Sequence, residues 1–117
     1  MNDSVEAVEP VDSGEQMKEL HDMAAHAVEL LKAMANEWRL MILCQLAEGE
    51  KTVSELQSVL GLSQSALSQH LAILRRERIV QARKQAQSVT YSLSGEDATK
   101  VMDTLHDVFC GVQGEER

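Results

Sequence analysis

Residues 60–63, Leu-Gly-Leu-Ser, constrain this chain most, because they join two helical patterns through a turn that holds them side by side. Upstream, Thr52 and Glu55 have the T-x-x-E spacing of a capping box, in which hydroxyl and carboxylate satisfy two amide donors at the start of a helix. That helix carries Val53, Leu56, Val59 and Leu60, and it ends at Gly61, where the missing Cβ permits a sharp turn. Ser63 caps a further helix reaching about Arg78, with Leu67, Leu71 and Leu74 as its buried stripe. Two helices joined in this way are a helix-turn-helix. The period then changes to two. Val89, Tyr91 and Leu93 alternate with Thr90 and Ser92, and residues 79–84 supply a partner strand. The connecting residues 85–88, Gln-Ala-Gln-Ser, lack the Asn-Gly or Asp-Gly of a tight loop, so a longer and more mobile tip is expected.

The flanks complete the architecture. From about Glu15, the residues Met17, Leu20, Ala24, Ala27, Leu31 and Met34 recur at helical spacing and predict a long amphipathic first helix. Asn36 can cap a second helix, Glu37 suits its positive end, and Gly49 stops it. Leu40, Met41, Ile42, Leu43 and Leu46 make that helix apolar nearly all round, which predicts the central buried one. Ser94, followed by Glu96 and Asp97, is expected to cap a last helix bearing Ala98, Val101, Met102, Leu105, Val108 and Phe109. The expected fold is mainly α with a small β-hairpin, in the order α-α-α-α-β-β-α, a winged helix-turn-helix. At 117 residues the chain has room for one such domain, over residues 15–112. An acidic, disordered segment is expected over residues 1–14 and a flexible end over residues 113–117. The longest apolar run, residues 40–44, is too short to cross a membrane, and the N-terminus lacks a secretory signal. A cytoplasmic location is expected.

The formal net charge of -8 argues against a nucleic-acid partner, because affinity for DNA comes largely from neutralising phosphates. The total misleads. Between residues 56 and 95 the chain carries Arg75, Arg76, Arg78, Arg83 and Lys84 against Glu77 alone. On a helical wheel Gln64, Ser65, Ser68 and Gln69 lie away from the leucine stripe, with side chains short enough to lie against base edges, and Ala72 leaves room for close approach. They are the candidates for base readout. Ser63, Arg75, Arg76, Arg78, Arg83 and Lys84 are the candidates for phosphate contact, which orients without reading sequence. Double-stranded DNA is the expected partner. Three aromatic residues in the whole chain are too few for a single-strand stacking platform. A protein-interaction module that merely keeps the shape is the alternative, and it predicts no salt-dependent duplex affinity. His70, by its phase, is expected to be half-buried and to hold its helix to a neighbour.

Cys44 and Cys110 are the two cysteines. Cys44 shares a face with Leu40, Leu43 and Ala47, the setting of a buried small hydrophobe, whereas Cys110 ends the last helix and is more reachable. Both lie near helix C-termini, where the dipole does not favour a thiolate, so activation needs a neighbour. His106, four residues before Cys110, is expected on the same helix face, where its protonated imidazole would favour the thiolate. A thiol peroxidase, with Cys44 attacking and Cys110 resolving, would use the same pair, but no activated-thiol loop surrounds Cys44. Asp103, His106 and Asp107 offer one edge of a metal site with no second His pair to complete it, so no metal or other cofactor is expected. His21 and His26, five residues apart, are on poorly matched faces.

Residues 62–76, L-S-Q-S-A-L-S-Q-H-L-A-I-L-R-R, and the entry at residues 32–40, K-A-M-A-N-E-W-R-L, closely resemble the ArsR/SmtB family of bacterial repressors. The resemblance spans about residues 17–109. It implies a homodimeric winged-helix regulator, repressor or antirepressor, whose first and last helices pair across a twofold axis while the recognition helices enter successive major grooves. The apolar stripes of both terminal helices, which have little core of their own to cover them, agree with it. One cysteine in the second helix and one in the last resembles the reactive-sulfur and redox-sensing subgroup. That likeness implies that per- or polysulfides, or an oxidant, link Cys44 and Cys110 of one protomer through a disulfide or a longer sulfur bridge, lowering operator affinity. The family's metal-sensing branch uses a C-x-C pair in the first helix of the helix-turn-helix, and residues 53–60 contain no cysteine. A metal-sensing repressor is therefore the alternative within the family.

Overall fold

The computed structural model describes residues 13–111, so the expectations for the two chain ends lie largely outside the described residues. The elements are α1 (Ser13–Met34), α2 (Glu37–Ala47), β1 (Lys51–Thr52), α3 (Val53–Leu60), α4 (Gln64–Arg76), β2 (Val80–Gln85), β3 (Ser88–Leu93) and α5 (Asp97–His106), followed by a π-helical turn, Asp107–Gly111. Four helices, a hairpin and a closing helix occur in the expected order, a winged helix-turn-helix. The addition is β1, which pairs antiparallel with β3 through Lys51 opposite Tyr91 and Thr52 opposite Thr90, giving the sheet order β1-β3-β2. Two residues have no periodicity to reveal them, and their role is to occupy an otherwise bare edge of β3.

Local chemistry starts and stops the elements. Asn36 Oδ1 accepts from the Arg39 amide at 3.0 Å to begin α2. The capping box of α3 is formed in both directions, Glu55 N–H to Thr52 Oγ1 at 3.1 Å and Thr52 N–H to Glu55 Oε1 at 2.8 Å. Gly61 ends that helix with φ +72°, and Ser63 Oγ accepts from the Ala66 amide at 3.1 Å to begin α4. The core lies where α2, α3 and α4 meet the sheet and α5, and its centre is Ile42, Leu43, Leu56, Leu67 and Leu74, all fully buried. Among the described residues, no helix is long and apolar enough to cross a membrane.

Two expectations are corrected. Ser94 does not cap the last helix: its amide donates to Ile79 O at 2.8 Å at the sheet end, and α5 begins two residues further on, after Glu96, with no side-chain cap. The hairpin tip is also tight. Gln85 pairs with Ser88, leaving Ala86 and Gln87 as a two-residue loop with Ala86 at φ +55°. Strand twist demands a positive φ there, and the pairing overrides the reluctance of alanine to adopt it.

The end of α4 is a Schellman motif. Ile79 N–H reaches Leu74 O and Arg78 N–H reaches Arg75 O, both at 2.9 Å, and the left-handed position between helix and strand is held by Arg78 at φ +62°. Glycine is the residue that conformation favours, so an arginine there costs on the order of 1 kcal/mol. Arg78→Gly is expected to raise unfolding stability by about 1 kcal/mol in urea denaturation at fixed protomer concentration, and a loss of stability would refute the strain.

Candidate nucleic-acid interface

The leucine stripe of α4 sets the rest of its surface. Leu67, Leu71 and Leu74 are buried, which turns Gln64, Ser65, Ser68, Gln69 and Ala72 outward, all exposed. Ser63 is divided between its cap to Ala66 and a 3.5 Å contact with Ser65 Oγ, so its hydroxyl orients the helix start. Arg75 and Arg76 occupy the last turn, where cations also suit the negative end of the helix. Arg78 projects from the turn that follows, and Arg83 and Lys84 lie exposed on β2 near the hairpin tip. All the candidate readout and phosphate residues are therefore at the surface. α4 itself contains no acidic side chain.

Two of these arginines have carboxylate partners. Arg76 Nε lies 3.4 Å from Glu77 Oε2, and Arg83 Nη1 lies 2.9 Å from Glu50 Oε1, with both members of the second pair about half exposed. Glu50 escaped the sequence reading because it lies 33 residues from Arg83 and only the sheet register joins them. Arg83 is opposite Thr90, Thr90 is opposite Thr52, and Glu50 leads into that strand. The wing is thus tied back to the segment leaving α2. Exposed pairs of this sort are worth only about 0–1 kcal/mol, weak enough to be exchanged for a phosphate.

His70 is half-buried on α4, as expected, with Nδ1 3.4 Å from Arg39 Nη1. Burial, and then the Arg39 charge, lower its pKa below the ordinary histidine value. The sequence singled out His70 but not Arg39, since nothing local marks an arginine that reaches a helix 31 residues away.

A second feature lies on the other side of α2. Leu40, Cys44 and Ala47 form one wall of a groove of about 530 Å³, and Met102, Asp103, Leu105, His106 and Phe109 of the last helix and its π-helical turn form the other. Cys44 is exposed in the protomer rather than buried. The core takes Ile42, Leu43 and Leu46 from α2, which turns the Leu40–Cys44–Ala47 row outward, toward α5. The Cys110 side chain lies outside the described residues. Regular α-helix stops at His106, so the four-residue stacking invoked for His106 and Cys110 does not carry across Asp107–Gly111. His106 instead faces the groove that Cys44 lines. Among the described residues, no group of three or more His, Cys, Asp or Glu side chains is arranged to hold a metal ion.

Residues 36–82 match the family described as bacterial regulatory protein, arsR family. The chain is 53% identical over 94 residues to the transcriptional activator HlyU of Vibrio cholerae, covering 80% of this chain and 87% of that protein. The solved structure of reduced HlyU from the same organism superposes with a TM-score of 0.77 at 54% identity, over 80% of this chain and 98% of that one. A biofilm growth-associated repressor of Agrobacterium fabrum is 37% identical, covering 86% of this chain and 87% of its own length. The homodimeric winged helix-turn-helix DNA-binding domain of Mb0332 from Mycobacterium bovis superposes with a TM-score of 0.69 at 28% identity, over 75% and 82% of the two chains.

If Arg83 holds a phosphate, Glu50 competes for it, and Glu50→Gln is then expected to tighten duplex binding about threefold in fluorescence anisotropy, within the range of an exposed ion pair. The slope of log affinity against log salt should steepen by about 0.9, one added phosphate contact. Unchanged affinity and slope would mean that Arg83 does not reach the DNA backbone.

Proposed function

The chain belongs to the ArsR family of bacterial regulatory proteins, and on that premise we propose a homodimer that grips operator DNA until sulfur chemistry joins Cys44 to Cys110. It is a transcriptional regulator and not an enzyme, as its relatives are, which removes the thiol-peroxidase reading. The observation that carries the proposal is the outward face of α4: short polar side chains, no carboxylate, and a cationic border in an otherwise acidic chain. Gln64, Ser65, Ser68 and Gln69 read base edges in the major groove, while Ser63, Arg75, Arg76, Arg78, Arg83 and Lys84 hold phosphates.

The dimer is supported by α1. Residues 14–29 are all exposed, with Met17 61% and Leu20 56% accessible, and only the final turn of α1 reaches the core. An amphipathic helix draws most of its stability from packing its apolar face, so this face needs a cover. Phe109, 59% exposed, continues that need beyond the end of α5. A second copy satisfies both and sets two recognition helices about 34–36 Å apart. Mb0332, of the same fold, is homodimeric.

The sensing proposal rests on the groove. Cys44 is exposed, it opens toward the last helix, and Phe109, the residue before Cys110, lines the opposite wall with His106. A thiolate attacks a sulfane sulfur of a polysulfide, breaking one S–S bond and expelling a shorter polysulfide. The second thiolate then attacks the first cysteine sulfur and expels hydrosulfide, leaving a disulfide; the two electrons pass to the polysulfide sulfur. If both cysteines become persulfides, their condensation releases hydrogen sulfide and leaves a bridge one sulfur longer. His106, on the groove that Cys44 lines, is the residue proposed to tune the thiol chemistry. Either bridge fixes the last helix against α2, and a coupling of about 1–3 kcal/mol to the dimer geometry weakens DNA binding about 5- to 150-fold. The cytoplasm is the proposed setting, since its reductants keep such thiols reduced between challenges. The relatives' names include an activator and a repressor, and the same contacts serve repression or displacement of another silencer.

Duplex affinity of the reduced protein should fall about 10³-fold or more between about 50 and 200 mM salt, and a flat response would sink the DNA-binding proposal. Cys44→Ser and Cys110→Ser should each keep reduced-state affinity within a few-fold and lose release by polysulfide. Release that persists in either single variant would disprove the paired-thiol switch, and mass spectrometry of the linked peptides gives the bridge length.

A further inference from the structure

Arg39 belongs to the first turn of α2, but its side chain serves two other helices. Nε donates to Ala33 O at 2.6 Å and Nη2 to Lys32 O at 3.4 Å, both in the last turn of α1, where carbonyls have no partner within the helix. Its Nη1 lies 3.4 Å from Nδ1 of His70, in the middle of α4 between the exposed Gln69 and the buried Leu71. One planar guanidinium therefore ties the end of α1, the start of α2 and the DNA-facing helix into a single corner.

The chemistry of this contact is one-sided. Guanidinium offers only donors and stays charged at any working pH, so His70 must accept through Nδ1, which requires the neutral ring with its proton on Nε2. A protonated ring would turn a second donor toward Arg39 and set like charges against each other. Among the described residues no carboxylate pairs with either side chain: the charged groups of the packed elements are Arg75 and Arg76 on α4, Arg83 and Lys84 on β2, Glu37 at the start of α2, and Glu29 and Lys32 near the end of α1, whose Lys32 and Ala33 carbonyls take the far side of the guanidinium.

We propose that Arg39 and neutral His70 are positioning residues for DNA binding: their contact holds the tilt of α4, and protonating His70 releases the helix and weakens the grip on the duplex. The inference rests on α4 being the DNA-reading helix and is independent of the sulfur switch. Above the ordinary histidine pKa of about 6.5 the ring is neutral and the corner is closed; acidification opens it. Since the folded ring resists protonation, folding stability also declines as pH falls below that value.

Anisotropy with a fixed duplex at constant ionic strength, from pH 7.5 to 5.5, tests this. Wild-type affinity should fall about tenfold on acidification relative to His70→Asn, whose amide oxygen keeps an acceptor near the Nδ1 position and does not titrate. Arg39→Lys keeps the charge but loses the fork; it should bind more weakly at pH 7.5 and lose the excess pH dependence. Parallel pH profiles for wild type and His70→Asn would overturn the proposal. The His70 ring resonances of the wild-type protein provide a readout that needs no variant to fold. By linkage, saturation with duplex should move the His70 midpoint to lower pH. Binding with an unmoved midpoint defeats the positioning role alone, whereas absence of duplex binding at every pH defeats the DNA-binding reading beneath it.

Discussion

Burial of Leu67, Leu71 and Leu74 is the constraint on which the rest of the molecule depends. These residues meet α2 and α3 in a core where Ile42, Leu43 and Leu56 are equally inaccessible. Each buried leucine contributes about 1.5–3 kcal/mol, so turning α4 by one residue, about 100°, would put Ser68, Ala72 and Arg75 in place of the three leucines at a cost of several kcal/mol. The orientation of the proposed DNA-facing surface is therefore a consequence of packing. Short polar side chains point outward because the leucines leave them no alternative.

Electrostatics act at a second level and more weakly. The acidic chain concentrates cations on α4, the turn after it and the wing, then restrains Arg76 and Arg83 with exposed carboxylates. Such pairs hold side chains in place at little free-energy cost, weak enough for the proposed phosphate contacts to replace them. Arg78 is a different case. It occupies a left-handed position that glycine would fill with less strain, and the residue kept there brings a charge to the edge of the proposed DNA surface.

α2 connects these features. Its first turn carries Arg39, which grips α1 and α4, and Cys44 lies five residues later on the wall facing the last helix. A helix of eleven residues with Ile42, Leu43 and Leu46 locked in the core moves as a unit, so the proposed bridge at one end and the guanidinium joint at the other would act on the same body. The apolar face of α1, uncovered by the described residues of its own protomer, would make the proposed subunit junction part of that mechanical path.

The order of the helices, the capping box at Thr52 and Glu55, the turn at Gly61 and the outward face of α4 were legible in the residues, because each follows from local periodicity or a side chain bonding its own neighbourhood. β1, the Glu50–Arg83 tie, the Arg39–His70 joint and the placement of His106 on the groove that Cys44 lines were not, since each joins residues far apart in the chain. The tight tip at Ala86 and the commitment of Ser94 to the sheet show local preference yielding to strand pairing. Cys44 shares a helix face with apolar neighbours in the sequence, and only packing assigned that face to an open groove. Periodicity specifies which residues lie together on one side of an element; the competition among elements for a limited core decides which side is buried.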